Sequence, residues 1–203
     1  HLTNTFRQVQ LYRAIGAELP AFAHIPLIHG PDGAKLSKRH GALSVTEYRE
    51  MGFLPEAVRN YLLRLCWSHG DDEIITDAQA KEWFDLEHVG KSPARFDFTK
   101  LDSVNAHYIK LRPDAELVAL IAPLLQAKLG LPVLTAAQQD VLVKAMPELK
   151  PRVKTTVELA NAAAFYVMPR PLPLDDGAKK ILVRWFKQPE VSAYLRITIG
   201  TDA

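Results

Sequence analysis

The feature that most constrains the fold of this chain is a succession of helix signals from residue 44 onward, with almost no strand pattern among them. Three of the signals are capping boxes, in which Ser or Thr is followed three residues later by Glu or Gln: Ser44 with Glu47, Thr76 with Gln79, and Thr135 with Gln138. Amphipathic helices that follow one another through short loops indicate a helical bundle. We therefore predict a mainly α-helical protein.

Glycine and proline residues set the expected helix boundaries. A first helix is predicted to end at Gly16, a short one from Ser44 to end at Gly52, and a longer one to start at Pro55. The buried face of the longer helix is expected to carry Ala57, Val58, Tyr61, Leu62 and Leu65. Later helices are predicted over residues 76–84, 114–129, 135–147 and 149–167, and from residue 175 onward.

Residues 22–28 are the exception to the helical pattern, because they form a short apolar run that predicts a buried strand. Pro26 lies inside the run, and proline in a strand indicates an edge or an irregular end. The next residues, Pro31, Asp32 and Gly33, have the composition of a tight turn. A strand followed by a turn is therefore expected to lead into a loop.

That loop is strongly basic, with Lys35, Lys38 and Arg39 close together and Ser37 between the two lysines. Two ammonium groups on a hinged loop suit a polyphosphate, since they can follow charge onto a leaving pyrophosphate. The spacing excludes a Walker A loop, which needs four residues between its glycines and Lys-Ser or Lys-Thr after the second. A solvated basic turn is the alternative interpretation.

The segment Lys-Leu-Ser-Lys-Arg at residues 35–39 resembles the second ATP signature of class I aminoacyl-tRNA synthetases, Lys-Met-Ser-Lys-Ser in its consensus form. The longer phrase at residues 23–68, AHIPLIHGPDGAKLSKRHGALSVTEYREMGFLPEAVRNYLLRLCWS, resembles bacterial glutamyl-tRNA synthetases. HLTNTFRQ at residues 1–8 and FDFTKLDSVNAHYI at residues 96–109 fit the same family. The resemblance covers most of the chain.

The resemblance implies three regions. Residues 1–41 would be the end of a Rossmann-type catalytic domain, residues 42–111 a helical region that contacts the tRNA stem, and residues 112–203 an α-helical anticodon-binding bundle, truncated at its end. Residues 98–101 and 105–109 would form two short helices at the junction with this bundle.

The resemblance also implies an activity. The parent protein would be an ATP-dependent glutamate–tRNA ligase, which joins glutamate to ATP as an acyl adenylate and transfers it to the 3′ end of tRNA(Glu). Lys38 and Lys35 are the expected catalytic residues; with Ser37 and Arg39 they would also contact ATP, and Ser37 would mainly hold the geometry of the loop. Mg²⁺ is expected to accompany ATP in the full enzyme.

Four basic residues are candidates for tRNA contact. Lys150, Arg152 and Lys154 form the most basic stretch of the predicted bundle, and Arg95 lies in an extended basic and aromatic segment at residues 91–98. Arginine can hydrogen-bond and stack on the unpaired bases of an anticodon, so Arg152 is the preferred base contact. A solvated helix face is the alternative for residues 150–154.

Composition limits the other possibilities. The formal net charge is only +2, so any nucleic-acid contact must come from local patches. Cys66 is the single cysteine, which excludes an internal disulfide and fits a cytoplasmic protein. No metal site of the protein's own is predicted, and no apolar run of about 18 residues predicts a membrane span. A monomer is the family expectation.

The chain begins at His1 rather than at methionine, and the first ATP signature of the family, His-Ile-Gly-His, does not occur in it. We therefore expect a C-terminal fragment that lacks the N-terminal half of the catalytic domain and most of the glutamate pocket, and that is inactive alone. Two alternatives stay open: a stand-alone tRNA-binding module without catalysis, and a glutaminyl-tRNA synthetase relative.

Overall fold

The computed structural model describes residues 2–36 and 44–168, which are mainly α-helical as the sequence predicts. They form eight α-helices and two short strands: α1 (Leu2–Ala14), β1 (Ile28–His29), α2 (Val45–Glu50), α3 (Pro55–Cys66), α4 (Asp77–Trp83), β2 (Ala94–Arg95), α5 (Phe98–Leu111), α6 (Asp114–Leu129), α7 (Ala136–Leu149) and α8 (Thr156–Val167). A 3-10 turn over Lys150–Arg152 follows α7. Ser37, Lys38 and Arg39 lie outside the described residues, as does the helix predicted from Asp175.

The helix starts predicted from the three capping boxes are confirmed by local hydrogen bonds. The Glu47 carboxylate accepts a hydrogen bond from the backbone N–H of Ser44 at the start of α2. The hydroxyl of Thr76 accepts from the N–H of Gln79, and the hydroxyl of Thr135 from that of Gln138, each at 3.3 Å. Each bond satisfies a backbone donor that a helix leaves without a partner in its first turn.

The two short helices expected at residues 98–101 and 105–109 are in fact one continuous helix, α5. Asp97 caps its start, because the carboxylate accepts a hydrogen bond from the N–H of Thr99 at 2.8 Å. The polar residues in the middle do not interrupt the helix, since the Ser103 hydroxyl bonds back to the carbonyl oxygen of Thr99 at 3.0 Å.

The prediction of a single helix over residues 149–167 is wrong. The structure divides this stretch into the end of α7, the 3-10 turn and α8. α7 continues through Pro147 to Leu149. Packing of the buried residues Met146 and Leu149 outweighs the loss of the backbone hydrogen bond that proline cannot donate. Pro151 then lies in the 3-10 turn, and Thr155 starts α8 by accepting a hydrogen bond from the N–H of Glu158 at 3.1 Å.

The buried strand predicted over residues 22–28 is also wrong, since only its last residue, Ile28, is in β1. Phe22, Ile25 and Leu27 are between 40% and 70% exposed. Among the described residues, β1 pairs in parallel with β2 alone, and their register pairs Ile28 with Ala94. A two-residue ladder cannot extend back through Pro26, which has no N–H to donate.

Two groups of buried side chains form the core. The larger lies between α6, α7 and α8 and extends to Leu54, Ala57, Val104 and Ile109. The smaller is an aromatic cluster, defined here as Phe53, Tyr61, Phe96 and Leu101, with Ile28, Leu36 and Tyr48 packed against it. The aromatic cluster therefore joins the strands to α3 and α5.

The buried face of α3 differs from the prediction at two positions. Ala57 and Tyr61 are buried as expected, but Leu62 is 43% exposed. Asn60 is buried in addition; its side chain donates to the carbonyl oxygen of Glu73 and accepts from the N–H of Ile75, both at 3.0 Å. A buried amide is tolerated here because its polar atoms have partners.

α1 ends as predicted, with Gly16 in the left-handed region at a φ of +68°. Its apolar residues Phe6 and Leu11 are exposed, as is Ile15 directly after it, and α1 contributes no buried residue to the core. Within the described part of the chain, no helix combines the length and the apolar character that crossing a membrane would require.

Candidate functional site: the hairpin of Lys35 and the basic segment

A tight hairpin brings the start of the basic loop back alongside β1. The N–H of Leu36 donates to the carbonyl oxygen of Ile28 at 2.9 Å, and the N–H of Gly30 donates to the carbonyl oxygen of Ala34 at 2.8 Å. The turn between them is the predicted one: the Asp32 carboxylate accepts from the N–H of Ala34 at 3.0 Å, and Gly33 has a φ of +79°. Local sequence chemistry therefore fixes the hairpin.

The hairpin is anchored on the protein at both of its strands. Ile28 and Leu36 pack against the aromatic cluster, and the N–H of Phe96, a member of that cluster, donates to the carbonyl oxygen of His29 at 2.8 Å. Lys35, which precedes Leu36, is exposed. Its backbone is thus held at a defined place while its side chain is accessible to solvent.

Three basic residues lie side by side on this ladder. His29 pairs with Lys35 across the hairpin and with Arg95 across the parallel strand pair. Directly paired residues place their side chains on the same face of a sheet, and Ile28 and Leu36 occupy the face against the core. Lys35, His29 and Arg95 therefore share the opposite face, and none of them forms an ion pair or side-chain hydrogen bond with the described residues. We call this the basic face of the ladder.

Lys35 also lines an open cleft of about 780 Å³ that it shares with the start of α1. The polar residues of α1 in the lining are uncharged: Thr3, Asn4, Thr5 and Gln8. The His24 side chain contacts α1 here, since its Nε2 atom lies 3.1 Å from the Thr5 hydroxyl oxygen. No carboxylate is among the described residues that line the cleft, so its electrostatic character favours an anion.

The three basic residues predicted to contact RNA near the bundle have different environments. Lys150 is only 13% exposed; its ammonium group pairs with the Asp114 carboxylate and donates to the carbonyl oxygen of Arg112 at 2.5 Å. The Lys154 ammonium lies 3.7 Å from the Asp102 carboxylate and is half exposed. Arg152 is exposed and has no ion-pair partner among residues 2–36 and 44–168. These residues lie in the turn and connection between α7 and α8, not on a helix face.

The described residues contain no group of three or more His, Cys, Asp or Glu side chains that could hold a metal ion. Acidic side chains pair with basic ones instead. Glu73, for example, accepts a hydrogen bond from the Lys100 ammonium at 3.0 Å, and this bond holds the pKa of the Glu73 carboxyl below its ordinary value. This part of the chain therefore does not fit a Mg²⁺ site built from protein ligands alone.

A family model described as "tRNA synthetases class I (E and Q), catalytic domain" matches residues 1–103, which is half of the chain and includes the hairpin, the basic face and the aromatic cluster. The chain belongs to this synthetase family. The match also contains residues 35–39, the segment that resembles the second signature of class I synthetases.

Similar proteins carry a more specific name. Glutamate–tRNA ligase 2 of Rhodospirillum centenum is 58% identical over 195 residues, covering 96% of this chain and 40% of that protein. Glutamate–tRNA ligase 2 of Paramagnetospirillum magneticum is 59% identical over 194 residues, with the same coverage of 96% and 40%. The chain thus spans about 40% of the length of the curated relatives that it matches.

Two solved structures of glutamate–tRNA ligases are similar to this chain in fold. The glutamate tRNA ligase from Elizabethkingia meningosepticum, solved in complex with its amino acid, matches with a TM-score of 0.71 and 28% identity, covering 96% of this chain and 41% of that one. The glutamate–tRNA synthetase from Elizabethkingia anophelis gives a TM-score of 0.68 at 28% identity, covering 94% and 42%.

Proposed function

We propose that this chain is part of an ATP-dependent glutamate–tRNA ligase, to which it contributes a phosphate-contacting loop and the helices that bind tRNA(Glu). The observation that carries the proposal is the anchored hairpin. It presents Lys35 on a cleft whose described lining contains no carboxylate, at the start of a segment that resembles a synthetase ATP signature. The names of the similar proteins support glutamate as the amino acid.

In the proposed reaction, a carboxylate oxygen of glutamate attacks the α-phosphorus of ATP. The bond to pyrophosphate breaks, and glutamyl adenylate forms. A ribose hydroxyl of the 3′-terminal adenosine of tRNA then attacks the glutamyl carbonyl carbon, and AMP leaves with the bonding electrons. Lys38 and Lys35 act on the first step, since their charges stabilise the negative charge that grows on the pyrophosphate. Ser37 holds the loop geometry, and Arg39 adds a further contact to ATP.

The three regions take separate roles in this proposal. Residues 1–41 complete the Rossmann-type catalytic domain, residues 42–111 contact the tRNA stem, and residues 112–203 form the anticodon-binding bundle. Arg95 contacts RNA or phosphate in this proposal, which its position on the basic face beside His29 supports. Of the three basic residues at the bundle, Arg152 and Lys154 are the better candidates for RNA, because the Lys150 ammonium is already engaged by Asp114.

The decisive experiment measures ATP–pyrophosphate exchange and tRNA charging by the full-length protein that contains this chain. Lys38→Ala should lower the exchange rate by orders of magnitude, and Lys35→Ala by a smaller factor, with the circular dichroism spectrum unchanged. Lys81→Ala, an exposed lysine on α4, is the matched control and should leave exchange unchanged. An exchange rate in Lys38→Ala equal to that of the control would remove the catalytic role of the loop and favour a tRNA-binding module without catalysis.

The same assay addresses the glutaminyl alternative, because the matching family model covers both E and Q enzymes. Exchange that depends on glutamate supports the glutamate ligase. Exchange that depends on glutamine instead would assign the protein to the glutaminyl branch.

A further inference from the structure

One buried side chain, that of Asn105 on α5, connects this helix to two other segments of backbone, at residues 52–54 and at Lys154. Its Oδ1 accepts a hydrogen bond from the N–H of Leu54 at 2.8 Å, just before α3. Its Nδ2 donates to the carbonyl oxygen of Lys154 at 2.6 Å and to that of Gly52 at 3.3 Å. Asn105 has no solvent exposure, so these bonds are shielded from competing water.

Gly52 connects the same region directly to α8. Its carbonyl oxygen also accepts hydrogen bonds from the N–H of Thr156 at 3.0 Å and from the Thr156 hydroxyl at 3.2 Å, in the first turn of α8. A Cβ atom at position 52 would lie 2.7 Å from the backbone nitrogen of Val157, and the φ of Gly52 is +88°. The turn after α2 therefore meets α8 backbone to backbone, at a distance that only glycine permits.

The basic segment at residues 150–154 is held at both of its ends by this region. At one end, Lys150 bonds to Arg112 and Asp114 at the start of α6. At the other end, the Lys154 carbonyl bonds to Asn105. Arg152 lies between the two attachments and is exposed, so its backbone is fixed while its guanidinium group faces solvent.

We propose that Asn105 and Gly52 form a joint that sets the orientation of the bundle, and with it Arg152, relative to the hairpin of Lys35. The joint is connected to the hairpin as well as to the bundle. The segment that contains Gly52 continues into Phe53, which belongs to the aromatic cluster against which Leu36 packs. The inference rests on the proposed function: a tRNA that touches both ends of the protein gains affinity only if the two contacts are held at a matching distance. Asn105 is thus a positioning residue.

Asn60 offers a matched control for Asn105. It is also a buried asparagine with three hydrogen bonds: its side chain donates to the carbonyl oxygen of Glu73 and accepts from the N–H of Ile75 and the hydroxyl of Tyr108. All of its partners precede Arg112, so the Asn60 side chain makes no hydrogen bond to the described part of the bundle. Asn60→Ala and Asn105→Ala should therefore cost comparable folding stability, but only Asn105→Ala should loosen the joint.

The first test measures the distance between spin labels on the two sides of the joint by pulsed electron paramagnetic resonance. Labels at Glu82→Cys on α4 and Lys144→Cys on α7, both exposed, are introduced in a Cys66→Ser background. Asn105→Ala should widen the distance distribution, and Asn60→Ala should not. Thr156→Val, which removes only the hydroxyl bond to Gly52, gives a milder second variant in case Asn105→Ala folds poorly. Equal distributions in the wild type, Asn105→Ala and Thr156→Val would overturn the joint.

The second test uses tRNA charging by the full-length protein. Asn105→Ala should raise the KM for tRNA by about tenfold, because the two contacts no longer act together, while the KM for ATP stays unchanged. Asn60→Ala should change neither. A wild-type protein without charging activity would contradict the proposed function and leave the spin-label result as the measure of the joint. An active wild type with the same KM for tRNA in both variants would contradict the joint alone.

Discussion

The backbone N–H of Asp97 donates a hydrogen bond of 2.6 Å to the hydroxyl oxygen of Tyr61. This bond joins α3 to the residue that caps α5, which lies two residues after the end of β2. The Tyr61 ring is buried and meets the Phe96 ring edge-on, with the centroids 5.0 Å apart, and burial raises the pKa of its hydroxyl. One side chain therefore supports both the aromatic cluster and the strand that pairs with the hairpin.

Replacing Tyr61 by Phe should keep the ring packing and remove the bond to Asp97. We expect the free energy of unfolding to fall by about 1 kcal/mol, since a partly buried donor loses its acceptor. Urea denaturation followed by circular dichroism measures this change. Tyr48→Phe is the control, because Tyr48 packs in the same place, with its ring 6.1 Å from that of Phe96, and its hydroxyl makes no hydrogen bond to the described residues. A loss in Tyr61→Phe no larger than that in Tyr48→Phe would show that the bond contributes nothing.

Two glycines with positive φ should respond differently to replacement by alanine. Gly130, at a φ of +66°, has no atom within 4 Å of the place that an alanine Cβ would occupy, so Gly130→Ala should cost only about 1 kcal/mol from the backbone conformation. Gly52→Ala adds a close contact with the backbone of α8 and should cost more than about 2 kcal/mol. Thermal unfolding of both variants compares the two losses; similar values would mean that α8 can move away from position 52 without cost.

Lys150 and Arg152 should separate stability from RNA binding. Lys150→Ala removes a nearly buried ammonium group from Asp114 and Arg112, and we expect a loss of about 1.5–3 kcal/mol in the free energy of unfolding. Arg152→Ala should stay within about 0.5 kcal/mol of the wild type, because the residue is an exposed surface position. In a tRNA-binding assay with the full-length protein, Arg152→Ala should weaken binding. The reverse pattern, with Arg152 stabilising the fold and tRNA affinity unchanged, would refute this division.

The ion pair between Arg59 and Asp77 predicts an effect of pH on stability. The guanidinium group donates to both carboxylate oxygens, at 3.0 and 2.6 Å, and this hydrogen bonding holds the pKa of Asp77 below its ordinary value of 3.8. A carboxyl whose pKa is lowered by folding contributes stability at neutral pH, and that contribution is lost as the pH falls through the folded pKa. Its size is modest, since both side chains are about half exposed.

Titration of Asp77 by carboxyl-carbon NMR tests this assignment. Arg59→Gln should return the titration midpoint of Asp77 toward 3.8. Lys81→Ala should move this midpoint less, because Lys81 has only a weaker electrostatic effect on Asp77. An Asp77 midpoint that does not move in Arg59→Gln would assign the lowered pKa to another cause, such as the N-terminus of α4.

The parts of the fold that the sequence predicts well are those with local causes. The capping bonds at Ser44, Thr76 and Thr135 join residues three apart, and the turn at Asp32 and Gly33 is equally local. These features need no information about the rest of the chain. The division of residues 149–167 was not predicted, although Pro151 gives it a local cause; Pro147 stays within α7 because of packing.

The parts that could not be predicted depend on distant partners. Nothing near Lys150 in the sequence indicates Asp114 or Arg112, and a basic stretch in isolation suggests a nucleic-acid surface. Residues 22–28 have a strand composition, but pairing with β2 reaches back only to Ile28. For Lys35, the hairpin and the cleft support the sequence prediction of an anion contact, which remains to be tested together with those for Ser37, Lys38 and Arg39.

The contacts of Gly52 with Thr156 and of Asn105 with Lys154 have a consequence for protein engineering. An obvious plan for a chimaera would cut the chain near Arg112 and graft a foreign helical module after it. Such a graft would remove the Lys154 carbonyl, which accepts a hydrogen bond from the Asn105 amide, and the Thr156 hydroxyl, which donates to the Gly52 carbonyl, even though the splice itself lies in a loop. The interchangeable unit is thus discontinuous in sequence, and a transplant that respects it must carry the residues around positions 52 and 105 along with the helices.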